Sequence, residues 1–292
     1  MSRHSEKAHL SHALSVSNGT ELASLAASRS ESTANKQWIE LLTWVMFGRR
    51  APYKIQKSHS YLKGGAMSPV KSIVFCHGIW ADGSCFSKLI PALRVEGYEV
   101  ITAEYGLDSH RGDVDCILRT LGRVASPILL VGHSYGGATI TVAGTDDRVA
   151  GLVYIAAVAP DEEETTQSQL SNFPLTEVFG QVEVADDRNW MRPTGVQYFA
   201  GDLSEEEQQV VWATAMAPVH DLFDQKCEGV AWRSKPSWYV VSNNDQTVHP
   251  DLQRFVSKRM EATVTDVDSS HVSMLSHPDV VLDVIKEAAE KC

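Results

Sequence analysis

The chain has 292 residues, 43% of them hydrophobic and 22% charged, which suits one large α/β domain or two small ones and rules out disorder for the chain as a whole. With 26 Lys and Arg against 37 Asp and Glu, the net charge of −11 has the wrong sign for nucleic-acid binding through a general field. No run of about 18 apolar residues marks a membrane-spanning helix. Five scattered cysteines without a C-x-x-C pair argue against a disulfide framework or a zinc site, and for a reducing, cytoplasmic compartment.

Residues 1–66 carry nine basic and four acidic side chains, whereas residues 67–292 carry 17 and 33. The first 35 residues are Ser- and Ala-rich with little apolar periodicity and read as disordered. Trp38–Phe47 could form one amphipathic helical segment. Three readings of this N-terminal extension stand open: an organelle transit peptide, a docking segment, or an appended or mis-assigned start upstream of Met67. Strand signals that begin immediately after Met67 favour the last.

From Val70 the pattern alternates. Val70–His77 is a buried-strand run, Phe86–Gly97 a helix stopped by Gly97, and Tyr98–Glu104 a second strand. Val114, Ile117, Leu118 and Leu121 mark a helix. Pro127–Val131 is a wholly apolar strand of the kind a parallel sheet buries on both faces. Gly136–Gly144 reads as helix and Ala150–Ala156 as strand. The alternation stops near Pro160, where Asp161–Thr166 reads as a solvated turn. The insertion at 161–232 reads as helical, with a capping box at Ser204–Glu207. Strand Ser237–Val241, helix Pro250–Met260, strand Ala262–Val267 and helix His277–Glu290 complete a mostly parallel sheet flanked by helices.

The strongest chemical signal is Gly132-His133-Ser134-Tyr135-Gly136-Gly137, a G-x-S-x-G pattern between an apolar strand and a helix. A serine on that sharp turn projects its hydroxyl outward, and the glycines relieve crowding on either side. The backbone N–H of Tyr135, at the helix start, is one candidate oxyanion donor. His77-Gly78 ends the first strand and places the N–H of Ile79 as the other. No H-E-x-x-H, P-loop or G-x-G-x-x-G pattern occurs, so no metal or cofactor is expected.

The segments HGIWADGSCFSKLIPAL, GHSYGG, VAGLVYIAAVAPDEEE and SWYVVSNNDQTVHPDLQRF resemble the α/β-hydrolase-fold serine esterases. The resemblance is strongest to a bacterial and fungal subgroup related to the plant methylesterase and hydroxynitrile lyase branch. It covers about residues 70–290. It implies an eight-stranded sheet, a helical cap formed by the insertion, and a triad in the chain order Ser, Asp, His. On that pattern Ser134 is the nucleophile, Asp245 after SWYVV is the acid and His271 before the last helix is the base, with Asp251 a weaker rival for the acid. Small carboxylic esters and water are the implied reactants of a monomer or homodimer. Trp80, Trp190 and Trp212 are the candidate substrate-pocket residues, within an apolar set that includes Phe173, Phe179, Met191, Tyr198, Phe199, Met216 and Phe223.

Other chemistries occur on the same fold. Aspartate replaces the elbow serine in dehalogenases and most epoxide hydrolases of this kind. Hydroxynitrile lyases of the related branch carry threonine where this chain has Gly78, and lysine where it has Val272. These departures favour ester hydrolysis. A weakly catalytic ligand receptor and a perhydrolase or other acyl transferase remain alternatives.

Overall fold

The computed structural model describes residues 69–292; the N-terminal extension expected at residues 1–66 lies outside the described residues. A six-stranded, wholly parallel sheet forms the centre, its strands ordered in space as Glu99–Ala103, Ser72–Cys76, Ile128–His133, Val149–Ile155, Ser237–Ser242 and Thr263–Val267. The strands are β1 Ser72–Cys76, β2 Glu99–Ala103, β3 Ile128–His133, β4 Val149–Ile155, β7 Ser237–Ser242 and β8 Thr263–Val267. Every residue of β1, β3 and β7 is buried, because helices cover both faces of these inner strands. The edge strands β2 and β8 keep exposed positions. The resemblance implied an eight-stranded sheet; among the described residues the central sheet has six strands.

The helices are α1 Ile90–Val95, α2 His110–Leu121, α3 Gly136–Ala143, α4 Thr166–Leu170, α5 Val196–Phe199, α6 Glu205–Ala213, α7 Pro250–Arg259, α8 Ser273–Ser276 and α9 Pro278–Lys291. The helix expected over Phe86–Gly97 is shorter than its apolar pattern. A 3₁₀ turn at Gly83–Phe86 precedes it, and the α-helix starts at Ile90 with Pro91 in its first turn. Proline lacks the N–H that a helix begun at Phe86 would need there, but it suits a first turn. Gly97 stops the helix at φ +93°.

The insertion is not purely helical. Besides α4, α5 and α6 it contains an antiparallel hairpin, β5 Val182–Ala185 and β6 Arg188–Met191. Asp186 and Asp187 turn the hairpin with φ of +51° and +60°, as two-residue turns between twisted strands require. The expected capping box opens α6: Ser204 accepts from the Glu207 N–H, and Glu207 reaches back to the Ser204 N–H. The acidic run at 161–166 is more tethered than a solvated turn. Asp161 pairs with Arg233 at 2.6 Å and Glu164 with Arg259 at 2.8 Å. All five cysteines are free.

Strand order decides where chemistry can sit. The chain leaves β1 for β2 on one side, then returns to place β3 on the other. At such a switch point the loops after the two central strands diverge and leave a crevice at their carboxyl ends. His77-Gly78-Ile79 follows β1 there, and Ser134 follows β3. The loops carrying Asp245 and His271 follow β7 and β8 at the same edge.

Candidate active site

Ser134 adopts the left-handed conformation, with φ +56°. For a residue with a side chain this costs on the order of 1–3 kcal/mol, so the surroundings must hold it. They do so through the main chain. Its N–H donates to Ile155 O at 3.1 Å, and its carbonyl accepts from Gly137 N at 2.9 Å and Val158 N at 3.2 Å. The turn also presses against the end of β1: a Cβ on Gly136 would lie 2.2 Å from Cys76 O, so only glycine fits. Tyr135 is the N-cap of α3.

Asp245 and His271 meet at the end of the sheet. His271 Nδ1 lies 2.7 Å from Asp245 Oδ2, and both side chains are fully buried. The carboxylate has further donors. Its Oδ1 accepts from the N–H groups of Thr247 at 2.7 Å and Val248 at 3.0 Å, and its Oδ2 accepts from Gln253 Nε2 at 2.7 Å. Four hydrogen bonds to one buried carboxylate fix its plane. With Nδ1 committed to Asp245, the Nε2 of His271 is buried and finds no partner among the described residues. Asp251, the weaker rival, sits outside on the first turn of α7, beside Arg254.

His133 is a part of this arrangement that the sequence reading passed over. Its Nε2 lies 2.9 Å from the His271 carbonyl oxygen, and the two rings are 4.5 Å apart. A carbonyl only accepts, so Nε2 carries the proton. Burial, then the neighbouring His271, push the pKa of His133 well below the ordinary histidine value, so it stays neutral. The residue preceding Ser134 thereby holds the backbone of His271. Gln253 was also missed; its signal was slight, a polar residue on the inward face of an amphipathic helix.

The N–H groups of Ile79 and Tyr135 have no acceptor among the described residues. The Tyr135 phenol is anchored beneath the turn. It donates to Asp113 Oδ2 at 2.9 Å and lies 3.2 Å from His110 Nδ1. Burial raises the Asp113 pKa to about 7 and lowers that of His110 to about 4. Both groups are therefore poised toward their neutral forms.

Trp80, with φ +54°, links the loop after β1 to the insertion. Its N–H donates to Met216 O at 2.9 Å and its indole Nε1 to Asn189 O at 2.8 Å. Trp80 is 1% exposed and lines two cavities. One, of about 160 Å³, is lined by Trp80, Cys85, Phe199, Val211, Val272 and Leu275 among others. The second, of about 290 Å³, is lined by Ile79, Trp80, Phe179, Leu222, Phe223 and His220 among others. Phe199 packs edge-on against the His271 ring at 4.9 Å, and Phe223 stacks on Tyr135 at 6.0 Å, so each cavity adjoins the site. Trp190 and Trp212 lie elsewhere. They are 45% and 46% exposed and line neither cavity. The Trp190 indole bonds to Ala185 O across its own hairpin. Among the described residues no cluster of His, Cys, Asp or Glu could hold a metal ion, and no helix is long and apolar enough to cross a membrane.

Residues 73–284 match the model of the alpha/beta hydrolase family. A pyrethroid hydrolase from Sphingobium wenxiniae is 32% identical over 250 residues, covering 76% of this chain and 88% of that protein. Methylesterase 1 of Arabidopsis thaliana is 24% identical over 255 residues, covering 74% and 93%. A carbendazim hydrolyzing esterase from a Nocardioides species is 32% identical over 126 residues, about half (51%) of its length and 38% of this chain. Among solved structures, polyneuridine aldehyde esterase superposes with a TM-score of 0.65 at 17% identity, covering 74% of this chain and 98% of that one. The sheet, the serine turn and these kinships agree: the chain belongs to the alpha/beta hydrolase family.

Proposed function

We propose that this chain is a serine esterase that cleaves small carboxylic esters through Ser134, His271 and Asp245. The observation that carries the reading is the buried Asp245–His271 pair, whose outer nitrogen has no hydrogen-bond partner among the described residues, together with a serine held at positive φ at the end of β3. Ser134 Oγ attacks the ester carbonyl as His271 Nε2 takes its proton. Asp245 fixes the tautomer and stabilises the imidazolium. The negative charge on the carbonyl oxygen develops toward the free N–H groups of Ile79 and Tyr135. His271 then gives the proton to the departing alcohol, leaving an acyl-enzyme. Water attacks that ester, its proton passing to His271 and on to Ser134 as the acid leaves.

The relatives named above as esterases and hydrolases support ester cleavage. The two cavities that Trp80 lines, one reaching Val272 beside the base and the other reaching Ile79, give room for the apolar groups of an ester. Gly78 and Val272 favour hydrolysis over cyanohydrin cleavage, since Val272 adds only an apolar wall beside the base. The test is turnover of a panel of p-nitrophenyl and methyl esters, with covalent capture by a fluorophosphonate. Ser134→Ala should abolish labelling and lower turnover by about 10³-fold or more. Labelling at another serine, with Ser134 untouched, refutes the reading.

A further inference from the structure

Asp202 lies in the insertion between α5 and α6, and its carboxylate points into the loop that carries His271. Oδ2 accepts from Ser269 Oγ at 2.8 Å and from Ser270 N at 2.9 Å, and Oδ1 accepts from Ser270 Oγ at 2.5 Å. All three donors belong to the two residues immediately before His271. Ser269 is fully buried and Ser270 nearly so. Burial acts to raise the Asp202 pKa, but the Ser270 and Ser269 hydrogen bonds outweigh it and hold the carboxyl below its ordinary range.

A second tie runs from the same part of the insertion to the far side of His271. Lys88 Nζ donates to Glu207 Oε1 at 2.6 Å and to Leu275 O at 2.7 Å. Glu207 is the residue that closes the capping box of α6 with Ser204. Phe199, three residues before Asp202, packs on the imidazole itself. The segment 269–275 is thus gripped from the insertion at both ends, while Asp245 and His133 hold it from the sheet side.

We propose that Asp202 is a positioning residue for catalysis: by fixing Ser269 and Ser270 it sets the main chain of His271, so that the base is in register with Ser134 only when the insertion is seated on the sheet. This rests on His271 being the base. The physical reason is the steep dependence of proton transfer on geometry, where an error of about 1 Å can cost on the order of 100-fold in rate. The histidine is on a loop after an edge strand, so its main chain is held by side-chain anchors such as His133 and Asp202 rather than by a strand ladder on both sides.

The experiment compares Asp202→Ala, Asp202→Asn, His271→Ala and the Asp202→Ala/His271→Ala double variant. The readouts are kcat and KM on a short p-nitrophenyl ester and the melting temperature. Asp202→Ala should lower kcat by on the order of 10- to 100-fold with KM little changed. Asp202→Asn, which can still accept from the Ser270 N–H, should recover part of that loss. The double variant should match His271→Ala, because a residue acting through the base has no effect once the base is gone. If Asp202→Ala keeps wild-type kcat, the proposal fails. It also fails if Asp202→Ala lowers the residual rate of His271→Ala by the same factor, since Asp202 is then a staple of the insertion alone. Should Asp202→Ala not fold, Ser270→Ala, which removes one donor and leaves the carboxylate, is read against the same two outcomes. A wild-type rate for His271→Ala would instead refute the triad, whatever Asp202 does.

Discussion

Gly78 and Ser134 share one volume: a Cβ on Gly78 would lie 2.6 Å from the Ser134 Cβ and 3.1 Å from its Oγ. The loop bearing the Ile79 N–H can come this close to the serine only because residue 78 has no side chain. Gly78→Ala should therefore force the loop and the serine apart. The expected result is a loss of kcat on the order of 10- to 100-fold, with a folded protein by circular dichroism. Wild-type turnover in Gly78→Ala would show that the loop can yield without harm to the reaction.

Gln253 is fully buried and makes three bonds at once. Its Nε2 donates to Asp245 Oδ2 at 2.7 Å and Val248 O at 2.8 Å, while its Oε1 accepts from the Ser242 N–H at 2.9 Å. Gln253→Leu has similar bulk but strands the Ser242 N–H and removes a donor from the carboxylate. Each buried polar group left unpaired costs about 1–3 kcal/mol. The melting temperature should fall by about 4 °C or more, and kcat should fall with it. Unchanged thermal unfolding would contradict the burial on which this expectation rests.

The charges beneath Tyr135 predict a pH signature in stability. Asp113 moves from an ordinary 3.8 to about 7 on folding, so the folded chain keeps a proton that the unfolded chain has released. Its contribution is full below about pH 4 and is lost as pH rises to about 7. His110 moves from 6.5 to about 4, so its contribution is present above about pH 6.5 and is lost as pH falls to about 4. The two oppose each other over most of that range. Asp113→Asn removes the first alone. Relative to wild type, its melting temperature should be more favourable at pH 8 than at pH 5, measured by thermal unfolding in both buffers. An equal difference at the two pH values would mean that Asp113 is already ionised in the folded state at pH 5.

Trp80→Ala should join the two cavities and release Asn189 O from its indole partner. Esters with a longer acyl or alcohol chain should gain relative to short ones in kcat/KM, measured on a p-nitrophenyl series from acetate to octanoate. Overall stability should drop by about 3–5 kcal/mol, the usual cost of truncating a buried aromatic ring. A chain-length preference identical to wild type would place the substrate elsewhere.

Local signals were the legible ones. Runs of five to eight residues rich in apolar and β-branched side chains placed the six strands, and Gly132–Gly137 placed the serine, because a strand, a turn and a helix start are each encoded within a few neighbours. Asp245 and His271 came from resemblance, since nothing within their own loops says that they meet. The roles of His133 and Asp202 could not be read for the same reason, and Gln253 carried only the slight signal of a polar residue on an inward helix face. His133 and Asp202 act on partners 138 and 68 residues away. The hairpin at Val182–Met191 did carry a signal, alternation broken by Asp186-Asp187, but aspartate pairs announce a tight turn less clearly than a glycine would. Trp190 and Trp212 stood out by size and hydrophobicity, which say that a side chain prefers burial and not that its position grants it; both are nearly half exposed and line neither cavity.

The order of the strands along the chain has a consequence for synthesis. The serine turn needs only β1, β3, α3 and β4, all encoded before residue 160, and so can be assembled early. Asp245 and His271 follow the insertion, and His271 arrives only when β8 pairs along the outer side of β7. On the proposed mechanism, a nascent or truncated chain carries a shaped but unactivated serine. Hydrolytic power is switched on by the last strand to join the sheet, after the insertion that shields the site has already been made.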